Sequence, residues 1–245
     1  MNKILLIETA TDVCSAAVAD GEKILSTGHI TEARSQASRL APMIQDTIAG
    51  AGIRLRELAA VAVSSGPGSY TGLRVGVSTA KGLCFGTGIP LISVGTLSIL
   101  AFGAIRSGAV KEATENSVII PMIDARRMEV YTALYDIHGD RISETAAVVL
   151  TPDTFTAEFE KFHRVILTGD GAAKFMDILP EHYRSRCVFL PSHPEAIDMA
   201  IPAFRSLQQK RFEDTAYFEP FYLKEFIAAD PSKKLEAVLH PDRRL

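Results

Sequence analysis

The hydrophobic period of this 245-residue chain changes in the same order twice, and that succession limits the available folds more than any single motif does. Ile4 to Ile7 is a continuous apolar run, as expected of a strand covered on both faces, and Cys14 to Ala19 reads as a second strand. Asp20-Gly21 supplies a tight turn, because glycine takes positive φ freely, and Lys23 to Thr27 returns as a third strand. From Ser35 the period becomes helical. Ala37, Leu40, Ala41, Ile44, Ile48 and Ala51 follow three-and-four spacing, with Gly50 and Gly52 as stop signals. Leu58 to Ser64 is strand-like, and Gly66-Pro67-Gly68-Ser69 breaks it. Thr71 to Gly86 can run as a helix, Pro90 to Val94 as a strand and Thr96 to Ile105 as a helix. The order is βββαβαβα.

The polar segment Ser107 to Asn116 marks a boundary, after which the order repeats. Val118 to Asp124, Glu129 to Tyr135 and Ile142 to Leu150 read as strands, followed by a helix from Pro152, a residue suited to a first helical turn. Arg164 to Thr168 is a strand, and Gly169-Asp170-Gly171 turns into a helix over Ala172 to Ile178. Cys187 to Leu190 is a short strand and Glu195 to Lys210 a helix. The expected organisation is a first lobe over 1–106, a second over 107–227 and a polar tail over 228–245. Two such α/β lobes, each a ribonuclease-H-like sheet, resemble the superfamily of actin, the heat-shock chaperones and the sugar kinases (the ASKHA fold). That likeness implies a cleft between lobes but specifies no chemistry.

Lys plus Arg number 26 against 29 Asp plus Glu, so the net charge of −3 has the wrong sign for an autonomous nucleic-acid binder. Any contact with RNA has to be shared with a partner. The three cysteines, Cys14, Cys84 and Cys187, are an odd number in apolar surroundings, which fits buried thiols in a reducing cytoplasm better than a disulfide framework. The apolar run Ile4 to Ile7 stops at Glu8, so neither a signal peptide nor a membrane span is expected.

The stretch Ser64 to Gly76 places glycines and a proline between a strand and a helix, where backbone N–H groups and the hydroxyls of Ser69 and Thr71 could meet an anion. The competing account is a tight turn with Ser69 or Thr71 as the N-cap, and it leads, because no Gly-Lys-Ser/Thr follows. Beyond it, Gly72, Gly76, Ala80 and Cys84 recur every four residues, a row that lets a second helix approach closely. Leu40, Met43, Ile44, Thr47 and Ile48 make a wide apolar surface on the preceding helix. Both features fit ordinary internal packing and also fit a protein partner. Asp124, Arg126, Arg127, Glu129 and Tyr131 surround a turn in the second half. Paired carboxylates there could serve hydrolysis, but without a nucleophile nearby the better account is an arginine holding the hairpin, or a partner contact. The six histidines are scattered, and none has another four residues away, so no metal motif is visible.

Taken together, these residues resemble the bacterial TsaB family, also called YeaZ, of tRNA threonylcarbamoyladenosine synthesis. The resemblance is carried by Ile7-Glu8-Thr9-Ala10-Thr11 with Cys14-Ser15, by Gly66 to Arg74, and by Ile123-Asp124-Ala125-Arg126 with Glu129 and Tyr131. It continues in Gly169-Asp170-Gly171 and Pro220-Phe221-Tyr222-Leu223-Lys224. It implies a non-catalytic partner of the paralogous threonylcarbamoyltransferase TsaD, joined by the ATPase TsaE, with tRNA held only within the complex and a homodimer as a resting form. The implied partner-binding residues are Ala37, Leu40, Ala41, Ile44, Ile48, Gly72, Leu73, Gly76 and Ala80, in a helix bundle. Asp124, Arg126, Glu129 and Tyr131 would be a structural or partner motif. Aligning the strand Pro90 to Val94 with the catalytic paralogue puts Thr96 and Leu100 where that enzyme carries metal-binding histidines, which implies a metal-free chain. Most members have Asp where this chain has Glu8, and many keep a His near Gln36. Thr9-Ala10-Thr11 stand where the superfamily's phosphate hairpins carry glycine, so no intrinsic cofactor is expected, and ATP or ADP would enter only with the assembled complex. The alternative is an independent nucleotide-hydrolysing or peptidase enzyme of the actin-like superfamily.

Overall fold

The structure, a computed structural model, describes residues 2–30 and 36–224. The helix start expected at Ser35 and the polar tail 228–245 lie outside the described residues, as does the side chain of Gln36.

Strands β1 (Lys3–Glu8), β2 (Cys14–Asp20), β3 (Lys23–Ile30), β4 (Ala60–Ser64) and β5 (Leu91–Val94) form one sheet in the order β3-β2-β1-β4-β5. β2 runs antiparallel to β1 and β3, whereas β1, β4 and β5 are parallel. In the second sheet β6 (Ser117–Asp124), β7 (Glu129–Thr132), β8 (Ala146–Val149), β9 (Arg164–Thr168) and β10 (Cys187–Leu190) are ordered β10-β9-β6-β7-β8. Read from its other edge this is the topology of the first sheet, with the same antiparallel hairpins and parallel core. The repeat expected from element order therefore exists in three dimensions.

Parallel strands must be covered on both faces, and the alternation along β1 divides the first core in two. Leu5, Ile7, Cys14, Ala16, Val18, Val61 and Val63 pack under helices α1 (Gln36–Gly50) and α2 (Tyr70–Thr87). Ile4, Leu6, Ala17, Ala19, Ala60 and Ala62 face the other way, onto the 3-10 turn Ala196–Met199 and helix α7 (Ala200–Gln208). Thus an element from the end of the chain closes the first sheet. Conversely α3 (Thr96–Ser107), from the first half, packs Leu97, Leu100, Ala101 and Ala104 on Ile119, Ile123, Tyr135 and Ile166 of the second. A division by sequence at residue 106 is thus crossed in both directions by the packing. Hydrogen bonds pin the crossing: Arg106 Nε meets the buried Asp198 Oδ1 at 2.5 Å, and the Ala196 N–H donates to Ser15 Oγ at 2.9 Å. Burial still pushes the Asp198 carboxyl above its ordinary range, outweighing the guanidinium beside it.

Local competition explains where elements depart from the pattern. The helix expected from Pro152 is α4 (Thr156–Lys161), because Thr151 and Thr154 form a turn of their own. There Thr154 Oγ1 accepts the Thr151 N–H at 2.8 Å, and Phe155 follows at φ 65. Strand β8 begins at Ala146 rather than Ile142, since Asp136 Oδ1 draws the N–H groups of His138 and Asp140 into a loop, each at 2.9 Å. A short helix, α6 (Glu181–Arg184), lies between α5 (Ala172–Ile178) and β10 where none was expected. No described helix is long and apolar enough to cross a membrane.

Candidate functional site

The C-terminal ends of the parallel strands β1 and β4 lie side by side, at the edge of an open α/β sheet where ligands are generally bound. Glu8 ends β1 fully buried, its Oε1 accepting the Ala10 N–H at 2.5 Å. Burial raises its carboxyl to about 8, opposed by hydrogen bonds from Ala10 N–H, the Ser64 hydroxyl and Thr9 N–H. The acid is therefore largely neutral at pH 7. It also contributes to raising the thiol of Cys14 to about 12, after burial itself.

The glycine loop is already filled by the chain. Ser69 N–H donates to Ala10 O at 2.7 Å, and a Cβ on Gly68 would stand 2.3 Å from the same oxygen. Gly66, at φ 106, lies against Phe221 O, where a Cβ would come within 2.5 Å, and Phe221 N–H donates to Ser65 O at 2.7 Å. Ser69 is the N-cap of α2, its hydroxyl accepting the Gly72 N–H at 3.2 Å. Of the two accounts open in the sequence, the geometry matches the turn. The residues do not fit a nucleotide phosphate here, since the first β-turn and the C-terminal segment occupy the approach to the loop. Thr71 is exposed in the first turn of α2, away from these contacts.

The hairpin β6–β7 is held by lysines, not by the arginines expected. Lys174 of α5 donates to Asp124 Oδ1 at 2.6 Å and to Arg127 O at 2.5 Å. Asp124 Oδ1 also takes the Arg126 N–H at 2.5 Å, and Asp170 Oδ1 accepts the Asp124 N–H at 3.0 Å. Glu129 pairs with Lys224, whose ammonium lies 6.0 Å over the Tyr131 ring. Arg126 and Arg127 instead occupy the turn at φ 67 and 49, with both side chains exposed. Asp124 and Glu129 are thus each matched by a lysine. Sequence reasoning missed Lys174, which carries no signal beyond its place in a short helix. Lys224 stood in a motif whose partner was unknown.

The helix residues expected at a partner surface divide. Leu40, Ile44 and Ile48, with Met43 and Thr47, are buried against the first sheet, as are Gly72, Leu73, Gly76 and Ala80. The wide apolar surface of α1 is therefore its inner face, and the small-residue row of α2 seats that helix on its own sheet. Gly76 is required by Thr9, whose Oγ1 would lie 2.1 Å from an added Cβ. Ala37 and Ala41 are exposed, and Ala49 with them. The outward face of α2 carries what the periodicity did not single out: Phe85 is 88% exposed, and Gly82 and Gly86 on either side have nothing within 4 Å of an added Cβ. Thr96 and Leu100 are buried in α3, with Leu100 in the core between the lobes. Among the described residues no cluster of three or more His, Cys, Asp or Glu could hold a metal. All three thiols are free, and burial raises Cys84 and Cys187 to about 11.

A family model described as TsaD: tRNA N6-adenosine threonylcarbamoyltransferase matches residues 30–227. The tRNA threonylcarbamoyladenosine biosynthesis protein TsaB of Escherichia coli (strain K12) is 32% identical over 233 residues, spanning 92% of this chain and 96% of that protein. The solved structure of YeaZ from Pseudomonas aeruginosa is similar at a TM-score of 0.74 and 28% identity, covering 91% of this chain and all of that one. The ROK hexokinase of Thermus thermophilus, at 14% identity and a TM-score of 0.51 over 84% of this chain and 99% of that one, shares the fold alone.

Proposed function

The chain belongs to the TsaB (YeaZ) family, and from that premise we propose that it is the non-catalytic partner of a TsaD-type threonylcarbamoyltransferase in the synthesis of threonylcarbamoyladenosine on tRNA. The observation that carries the reading is the outward face of α2. Phe85 is 88% exposed and has the open Gly82 and Gly86 beside it, so another helix could approach the backbone closely there. The exposed alanines of α1 offer a second low-relief surface. The partner face is thus the outer one, Ala37, Ala41, Gly82, Phe85 and Gly86, while the buried rows set the rigidity of the two helices beneath it.

The rest of the molecule supports a scaffold. The glycine loop is closed by Ala10 and Phe221, and the second-lobe carboxylates are matched by Lys174 and Lys224. In this reading the chain holds the transferase in its active conformation and completes a platform for a TsaE-like ATPase and the tRNA. ATP or ADP is met only in that assembly, and a homodimer through the same face is the resting form. The test is the solution mass of the chain alone and mixed with its TsaD-type paralogue, by light scattering on a sizing column. A one-to-one complex that Phe85→Asp abolishes is expected. An unchanged mass with both proteins folded overturns the reading and returns weight to an independent enzyme.

A further inference from the structure

After α7 the chain doubles back over the first lobe, and residues 211–224 lie across it without sinking into it. Every residue of this segment is half-buried or exposed, and Phe212, Tyr217 and Phe221 remain 42%, 84% and 48% exposed. Phe218 rests on the first core, itself only half-buried. The segment leaves α7 at Lys210, where the chain turns at φ 53. A row of polar pins holds it down. Glu213 N–H donates to Leu91 O at 2.9 Å on β5, the outer strand of the sheet, and Glu213 Oε1 accepts the Ser93 hydroxyl at 2.5 Å. Lys81 Nζ donates to Ala216 O at 3.1 Å and to Phe218 O at 2.9 Å, and Phe221 N–H donates to Ser65 O at 2.7 Å. The Tyr222 ring lies 4.8 Å from that of Tyr70, and Lys224 reaches the second lobe to pair with Glu129.

The free energy of lifting a segment is set by the apolar contacts and hydrogen bonds that it gives up. This one gives up little apolar area, and water can replace each pin once it is free. It also has a shape of its own. Asp214 O accepts the Tyr217 and Phe218 N–H groups at 3.2 and 2.8 Å, and Asp214 Oδ1 accepts the Ala216 N–H at 2.8 Å. That turn joins the pins into one body, so loosening one loosens the others. We propose that residues 211–224 are a releasable strap, which pivots at Lys210, unlatches at Glu129 and lifts as a unit while both lobes stay folded. Closed, the strap covers the outer edge of β5 and the Ser65–Gly66 side of the glycine loop. Open, it leaves the Leu91 and Ser65 carbonyls unpaired and β5 free to pair as an edge strand, while Ala10 keeps its place against Gly68.

The test is amide hydrogen exchange of the full chain by NMR, in water and in low urea, following Glu213, Phe218 and Phe221 in the strap and Leu6 and Val61 in β1 and β4. The three strap amides are expected to share one protection factor, at least about 100-fold below that of the sheet, and to respond little to urea, since their opening exposes little surface. Lys81→Met should lower all three together by about tenfold, because hydrogen bonds from a charged donor are lost, and leave Leu6 and Val61 unchanged. Glu129→Gln, which weakens the latch, should lower them together by about two- to fivefold. Strap amides that accelerate with urea as steeply as the sheet would open only on global unfolding, and that result overturns the proposal without any variant. A Lys81→Met effect confined to Phe218 overturns it by denying a common unit, and an effect shared equally by the sheet overturns it by denying a local opening.

Discussion

Gly82→Leu separates the monomer from its assembly more cleanly than any other change, because the two effects have opposite sign. In the monomer Gly82 sits inside the 18-residue helix α2 with nothing within 4 Å of an added Cβ. Replacing glycine by leucine in an exposed helix interior removes backbone entropy from the unfolded chain, worth about 0.7 kcal/mol on helix propensity scales. For a chain of this size that raises Tm by about 2 °C. In the proposed assembly the same isobutyl group would stand where a partner helix approaches the backbone beside Phe85. Overpacking a close contact costs about 1–3 kcal/mol, or roughly 5- to 150-fold in Kd. The assay pairs a thermal melt of the isolated variant with light scattering of its mixture with the paralogue across a concentration series. A variant that melts no lower than wild type yet pairs as tightly would refute the assignment of this face. A variant that melts several degrees lower would refute the premise that the position is open.

Gly76→Ala, six residues earlier in α2 and facing inward, is expected to destabilise the monomer by about 1–3 kcal/mol, since its Cβ would strike Thr9. Denaturant unfolding of the isolated chain measures this, and an unchanged midpoint would mean that α2 is not packed on Thr9 as described. Glu8 governs a pH dependence. Its folded value of about 8 exceeds the ordinary 4.5, so the proton is held more tightly in the native state. Its contribution is complete below pH 4.5 and is lost as pH rises toward 8. Glu8→Gln should flatten that decline in thermal melts at pH 5, 6.5 and 8, and an identical slope in the variant would contradict the buried neutral acid. Arg127→Gly should raise stability by about 1 kcal/mol, because glycine takes φ 49 without the strain a side chain brings. A loss of stability in the melt would show that the Arg127 side chain braces the hairpin after all.

Much of the architecture was readable because period and punctuation are local properties. The change from apolar runs to three-and-four spacing located ten strands and most helices, and glycine with proline located the joint before α2. Errors arose where a local hydrogen bond competed with the pattern, as Thr154 did ahead of α4 and Asp136 ahead of β8. At the site the motifs were visible but their partners were not. Asp124 and Glu129 stood out as carboxylates, yet their counter-ions, Lys174 and Lys224, lie 50 and 95 residues away in sequence. The small-residue row of α2 was likewise plain, but a row of small residues permits close approach without saying to what. Here it is the chain's own sheet, and the outward face is instead marked by a lone Phe85 that periodicity ranks as an exception.

By itself, then, the sequence determined the repeated α/β order, the strand-to-helix glycine joint and the family, since each depends on residue identity and short spacing. Tertiary structure alone decided which face of each helix is spare, which sheet α3 and α7 cover, and what fills the glycine loop. Those outcomes depend on how segments far apart in the chain divide a limited amount of apolar surface. A helix shows two candidate faces until the sheet beneath it takes one, and only then does the other become a surface for a partner.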